Sequence, residues 1–306
     1  MSRDINEQAL NEVTVCGKLS DVTFNNGKLS DGRAWESAVA DILVTENVNG
    51  VDEQSIISVK VFATPLTSTG KQHPGWQTIQ ELKNMNTIQN VGLDAAQRVG
   101  VRKGEIRENS FVARSGQVVT GWALNTTFVN KITNGADKAR ARLMVFIMDM
   151  HDEVNSEGDE TGRLIIKGGV VGYGGKLNVM EFVVEDPDYV ENARRTLEVN
   201  NTVVLNVRLR VLAREETYTS GGEGWGEEIV ETTTRTVREL VVVGANPPLD
   251  EEFAYSPDDI HRAFNERKAE IEQMQLEAKN RSAKGKAKVT TPGPAATPAD
   301  NKYSWE

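Results

Sequence analysis

Residues 165–186 read IIKGGVVGYGGKLNVMEFVVED, and residues 13–44 read VTVCGKLSDVTFNNGKLSDGRAWESAVADILV. Each is an apolar strand-like run, a glycine, a short polar stretch that reaches an aromatic, then Gly-Lys-Leu and a second apolar run. Glycine is the residue for sharp turns and bulges, because it alone adopts positive φ without cost. A chain that carries this plan twice is expected to build two small β units of one type, with Lys28 and Lys176 on corresponding turns.

Working outward from the first copy, Val13, Val15 and Leu19 alternate with Cys16 and Lys18, the period of a half-buried strand. Asn26-Gly27 is a hairpin signal, and Asp31-Gly32 lengthens the connection. Trp35–Thr45 and Ile56–Ala63 are the next strands; Ile57, Val59 and Val61 share one face, and Ser58, Lys60 and Phe62 the other. QTIQELKNMNTIQNV predicts one helix through Ile79, Leu82, Met85 and Ile88. NSFVA, QVVTGWALNTTFVNKI and RARLMVFIMDM then read as strands. Three strands, a helix and further strands is the order of a small β-barrel with one helix.

The polar run DEVNSEGDETG at 152–162 reads as a loop at a domain boundary, so a first barrel is expected over 1–150 and a second over 151–250. In the second, DPDYVENARRTLEV is a short helix opened by Asp-Pro, and NTVVLNVRLRVLARE is a strand. Its Val203, Leu205, Val207, Leu209 and Val211 form a core face, with Arg208, Arg210 and, if the strand continues, Arg214 opposite. Ser256 (N-cap), Pro257, Asp258 and Asp259 start an amphipathic helix over 251–279, with Ile260, Phe264, Ile271 and Met274 as a narrow apolar stripe that could pack in cis or pair between subunits. Residues 280–306, basic and then rich in Pro and Ala, are expected to be a disordered tail. The expected class is therefore mainly β: two OB-like β-barrels in tandem with short helices, a C-terminal helix and a tail.

Composition narrows the chemistry. The 306 residues include one cysteine, Cys16, so no intrachain disulfide forms, and a reducing cytoplasm fits. The N-terminal MSRDINEQALNE carries no apolar signal core, and no apolar run has membrane-spanning length. The three histidines lie far apart, without metal-ligand spacing; neither metal nor other cofactor is expected. GYGGK is not a phosphate loop: Val170 stands where the first glycine belongs, Leu177 replaces the hydroxyl residue, and a strand follows instead of a helix. No nucleophile elbow or carboxylate motif is present, so no enzyme is expected. The net charge of -10 argues against a globally basic nucleic-acid binder, although binding needs only a local groove.

That groove has candidates. Lys60 and Phe62 share a non-core face, Arg208 and Arg210 another, and Tyr173 and Lys176 share a turn. Aromatic faces beside cations bind single strands by base stacking and phosphate pairing. Each aromatic could equally be a core residue, Trp122 above all, and the arginines could be a solvated or charge-protected face. Tyr303, Trp305 and Glu306 end the tail as a tip that could dock on a partner.

VTVCGKLSDVTF, GRAWESAVADILV and SIISVKVFA, followed by LIIKGGVVGYGGKLNVMEFVVED and NTVVLNVRLRVLARE, resemble the strands of single-stranded DNA-binding proteins of the OB type, in the form that bacteriophages encode. The resemblance implies sequence-independent coating of single-stranded DNA in replication, recombination or repair, and a tip that recruits replication or recombination proteins. The residues expected to contact the DNA are Lys28, Arg33, Trp35, Lys60, Phe62, Trp122, Lys167, Tyr173, Lys176, Arg208, Arg210 and Arg214. It also implies a cytoplasmic site of action, in the bacterial host if phage-encoded. Here the tip departs from the bacterial pattern: it carries Lys302 and lacks a terminal Pro-Phe. A self-assembling virion protein is the alternative, and a nuclease or accessory enzyme subunit a further one.

Overall fold

The computed structural model describes residues 2–113, 116–155, 157–220 and 229–287; for 213–220, 229–235 and 281–287 it describes the backbone alone. The chain is mainly β. Strands β1 (Asn11–Lys28), β2 (Ala34–Val48), β3 (Val51–Ala63), β4 (Arg98–Val112) and β5 (Val118–Asn125) form the first unit. β1–β2, β2–β3, β4–β5 and β4–β1 pair antiparallel, and β3–β5 pair parallel at Val59 and Leu124, which closes a five-stranded ring. Helices α1 (Pro74–Leu82) and α2 (Ile88–Val91) lie between its third and fourth strands, and β6 (Val129–Lys131) adds to β4.

The second unit repeats this order. β7 (Lys138–Val154), β8 (Glu160–Val171), β9 (Leu177–Val184), β10 (Thr202–Ser220) and β11 (Ile229–Ala245) close a ring through β7–β8, β8–β9, β9–β11, β10–β11 and β10–β7. Again the third and fifth strands pair parallel, at Val183 and Val241, and a helix, α3 (Pro187–Thr196), separates the third from the fourth. Both rings have the five-stranded arrangement of an OB-type barrel. β1 also pairs with β7, Asn11 opposite Leu143 through Cys16 opposite Lys138, so one ladder stitches the rings together.

Alternation builds both cores. Val13, Val15, Ala38, Ala40, Ile42, Ile57, Val59 and Val61 are fully buried in the first, and Ile166, Phe182, Val203, Leu205 and Val207 in the second. A bulge at Ser20 lets the long β1 turn from one partner strand to another. Asp186 caps α3, accepting from the amides of Asp188 and Tyr189, with Pro187 as its first residue. The last helix, α4 (Pro257–Ala287), buries Ile260 and Ala263 in its first turns and is tied further along by Arg267 to Glu108.

Four sequence expectations change. RARLMVFIMDM belongs to β7, so the boundary expected at 150 falls inside a strand of the second ring; the chain crosses between rings over 132–137, where Asn134-Gly135 makes the turn. DEVNSEGDETG is the β7–β8 hairpin rather than a linker, closed by Asn155 and Asp159. The single helix expected over 77–91 is two pieces: Thr87 caps the second by accepting from the amide of Asn90, a local bond that competes with continued helix. Finally, α4 runs to Ala287, so 280–287, expected in the tail, is helical; its Lys, Arg and Ala favour helix. Residues 288–306, with Tyr303, Trp305 and Glu306, lie outside the described residues.

The repeat is real, but its register is not that of the two Gly-Lys-Leu turns. Gly27-Lys28-Leu29 ends the first strand of ring one, whereas Gly175-Lys176-Leu177 joins the second and third strands of ring two. The two lysines occupy non-equivalent turns.

Candidate nucleic-acid interface

The β1–β2 register places Thr23, Asn25 and Gly27 opposite Val39, Ser37 and Trp35, and the β2–β3 register places Ser37 and Val39 opposite Phe62 and Lys60. Opposed residues share a face, so Trp35, Phe62 and Lys60 stand together on the outer surface of ring one. The Trp35 and Phe62 rings are 5.6 Å apart between centroids and tilted by 33°. Phe62 is 47% exposed, large for an aromatic with a core close by. Beneath the indole lies Gly27, where an added Cβ would come within 2.8 Å of the ring. The absence of a side chain there lets the indole lie flat on the backbone. Lys60 and Lys28 are exposed, and neither has an ion-pair partner among the described residues. Arg33, at the same hairpin tip, is exposed but pairs with Asp31 at 2.7 Å; its hydrogen bonds hold the Asp31 carboxyl below the usual carboxylate range.

One aromatic nearby was missed by the sequence reading. Phe24 is 38% exposed with the Lys83 ammonium 5.9 Å from its ring centre. It lies opposite Ala38, hence on the other face of the hairpin from Trp35. Its alternation with Val22, both beyond the bulge at Ser20, was the available signal.

The arginines proved different. Arg208 is 4% exposed and pairs with Glu53 of β3 and with Glu185, the latter at 3.1 Å. Arg210 bonds Glu185 at 2.6 Å and Glu239 at 2.5 Å. Arg163 then joins Glu239 at 2.7 Å to Glu153 at 3.1 Å. The result is a chain of alternating charges, Glu53–Arg208–Glu185–Arg210–Glu239–Arg163–Glu153, that ties the outer face of ring two to β3 of ring one. Burial alone would push the Glu239 carboxyl up, but hydrogen bonds from Arg163 and Arg210 outweigh it and hold it below its ordinary value. Arg208 and Arg210 are therefore not free to take phosphates. Their face points outward from ring two, as the alternation required, but the first ring covers it. The side chain of Arg214 lies outside the described residues.

The remaining candidates fall into two places. Tyr173 is 85% exposed beside Gly174 and Gly175, both at positive φ, and Lys176 reaches Glu270 of α4 at 3.8 Å. Trp122 and Lys167, on different rings, meet in one cavity between β5, β8, β9 and α4. Trp122 is 7% exposed, buried as its alternative reading required.

Glu108 organises this seam. It accepts from Arg267 of α4 at 2.5 and 2.6 Å, from the Val179 amide of β9 at 2.9 Å, and from Ser110. Burial would raise its carboxyl, yet these bonds keep it below the ordinary value. Tyr255, just before α4, donates to the Glu7 carbonyl at 2.6 Å and accepts from Arg3. No helix of the described residues is long and apolar enough to cross a membrane, and no group of three or more metal-ligating side chains occurs among them.

A family model described as YorF matches residues 9–277. No curated protein matches the chain. Among solved structures, the wild-type single-stranded DNA binding protein from Thermus aquaticus matches with a TM-score of 0.49 at 11% identity, covering 82% of this chain and 99% of that one. A deletion mutant of the same protein matches with a TM-score of 0.46 at 12% identity, covering 82% and 98%.

Proposed function

We propose that this chain, which belongs to the YorF family, binds single-stranded DNA without catalysing a reaction on it, in replication, recombination or repair. The observation that carries the reading is the Trp35–Phe62 pair, with Phe62 exposed and Trp35 half-buried on a strand face, beside the unpaired Lys60 and seated on Gly27. A free aromatic pair costs a soluble protein exposed apolar area, and flat rings beside a cation suit unstacked bases and their phosphates. Lys28 and Arg33 extend the cationic track to the hairpin tip, and Tyr173 with Lys176 offers a second contact on ring two. The acidity of the whole chain does not bar this, because binding needs a local cationic face rather than a basic average.

Titration of the intrinsic tryptophan fluorescence with poly-dT tests the proposal. Quenching is expected in the wild type and most of it should vanish in Trp35→Phe. Absence of quenching and of any measurable affinity, or equal affinity for duplex DNA, would overturn it.

A further inference from the structure

Strands β10 and β11 outrun the ring they help to close. The β10–β7 ladder ends with Arg208 opposite Arg140, and β11 meets β9 at Val241. The β10–β11 ladder continues from Val207 without a register shift to Ser220 opposite Ile229. From Leu212 and Val237 outward, each strand's ladder partner among the described residues is the other alone, over a ribbon roughly 30 Å long at ~3.3 Å per residue. Two strands by themselves are marginally stable in water, and both outer edges of such a ribbon are open. Long edges are normally blunted by proline, lysine or a bulge. Residues 229–237, IVETTTRTV, hold no proline, lysine or glycine, and their ladder has no bulge. β10 differs, because Arg214, Glu215 and Glu216 put consecutive charges along its edge.

The charge pattern selects the partner. Arg214 stands directly opposite Arg235, and like charges so placed are destabilising. Glu231 lies on the same face of β11 as Arg235, two side-chain rows away. An antiparallel pair of β11 edges centred on Thr233 sets Glu231 of each copy opposite Arg235 of the other. Each Arg235 then gains a carboxylate on the side away from Arg214. At the centre threonine meets threonine, a favourable cross-strand pair. On β10, a two-fold centred within the charged run would set a charge against its own copy. We propose that the outer edge of β11 pairs with the same edge of a second copy of this chain, building a four-stranded sheet about a two-fold axis at Thr233. The overlap runs from Ile229 of one copy opposite Val237 of the other, so it stops short of Val241, where β9 takes that edge. This inference rests on the ribbon and is independent of the Trp35 face.

Sedimentation velocity of the full chain without DNA, over about 1–100 μM, tests the pairing. A concentration-dependent dimer is expected. Glu231→Arg and Arg235→Glu should each weaken it by roughly tenfold or more, since each turns two attractive pairs into two repulsive ones. Mixing the two variants should restore a dimer, because every changed position then faces the opposite charge. Arg235→Glu also relieves the opposition to Arg214 within the chain, so a dimer lost in that variant is not explained by a weakened ribbon. A monomer throughout the range, or a dimer that neither reversal weakens, overturns the proposal. So does a loss of poly-dT affinity in Arg235→Glu without self-association of the wild type, which would assign the ribbon to the DNA strand instead.

Discussion

Trp35 owes its pose to the residue beneath it. Without a side chain at Gly27 the indole rests on the β1 backbone, and Phe62 closes its other side. Gly27→Ala should force the ring away while leaving the ring of strands intact: a shifted tryptophan emission, an unchanged far-ultraviolet spectrum and weaker poly-dT binding are expected. Phe62→Ala should weaken poly-dT binding by roughly 5- to 150-fold, the equivalent of about 1–3 kcal/mol for one stacked base, as read by fluorescence titration. Lys60→Gln should flatten the log-log salt dependence by about 0.7, the loss of one phosphate contact to a single strand. At this scale Lys60 and Phe62 were legible in the sequence, because strand alternation puts them opposite a clear core face. Trp35 gained its partner only through the β2–β3 register.

At the scale of elements, β10 shows where alternation stops being informative. The period of two states that Arg208 and Arg210 leave the core of ring two. It does not state that β3 of the other ring lies against them with Glu53. Arg208→Ala should leave the DNA affinity of the folded protein unchanged and lower its stability by about 3 kcal/mol, measured by urea denaturation. That is the low end of what breaking a buried pair costs, since Glu53 and Glu185 remain about a third exposed and can be hydrated. A loss of affinity without loss of stability would return the arginines to the binding surface. For α4, Arg267→Ala removes the clamp on Glu108, and amide exchange in the helix beyond Ala263 should accelerate while the ring strands keep their protection. The apolar stripe of α4 was visible in the sequence; its seat across the seam was not, because Glu108 lies 159 residues away from Arg267.

Across the whole molecule, two rings share a β1–β7 ladder, an ionic chain and the Glu108 clamp, so their stability should respond to acid as a unit. Glu108 and Glu239 both have carboxyls held below their ordinary 4.5. Unfolding releases them to that ordinary value, so the unfolded chain binds more protons between the two values. Their contribution is complete above about pH 4.5 and is lost as pH falls through the lowered folded values. The urea midpoint should therefore drop steeply below that pH, and Glu239→Gln should start lower at pH 7 and fall less. An acid limb identical in Glu239→Gln and wild type would remove that carboxylate from the account.

What the chain alone determined is local. Period-two alternation, the Asp31-Gly32 turn, and the Asp-Pro and Ser-Pro helix starts were enough to read a mainly β protein with a doubled plan, because each depends on neighbours within a few residues; Asn26-Gly27, read as a hairpin turn, instead lies paired inside β1. Only the tertiary structure decided where one ring ends and the other begins, which turns correspond, and which outward side chains meet solvent. Those outcomes depend on pairings between residues tens to hundreds of positions apart, and a charge that reads as a free cation in the sequence becomes a buried structural tie once a carboxylate from another strand closes on it.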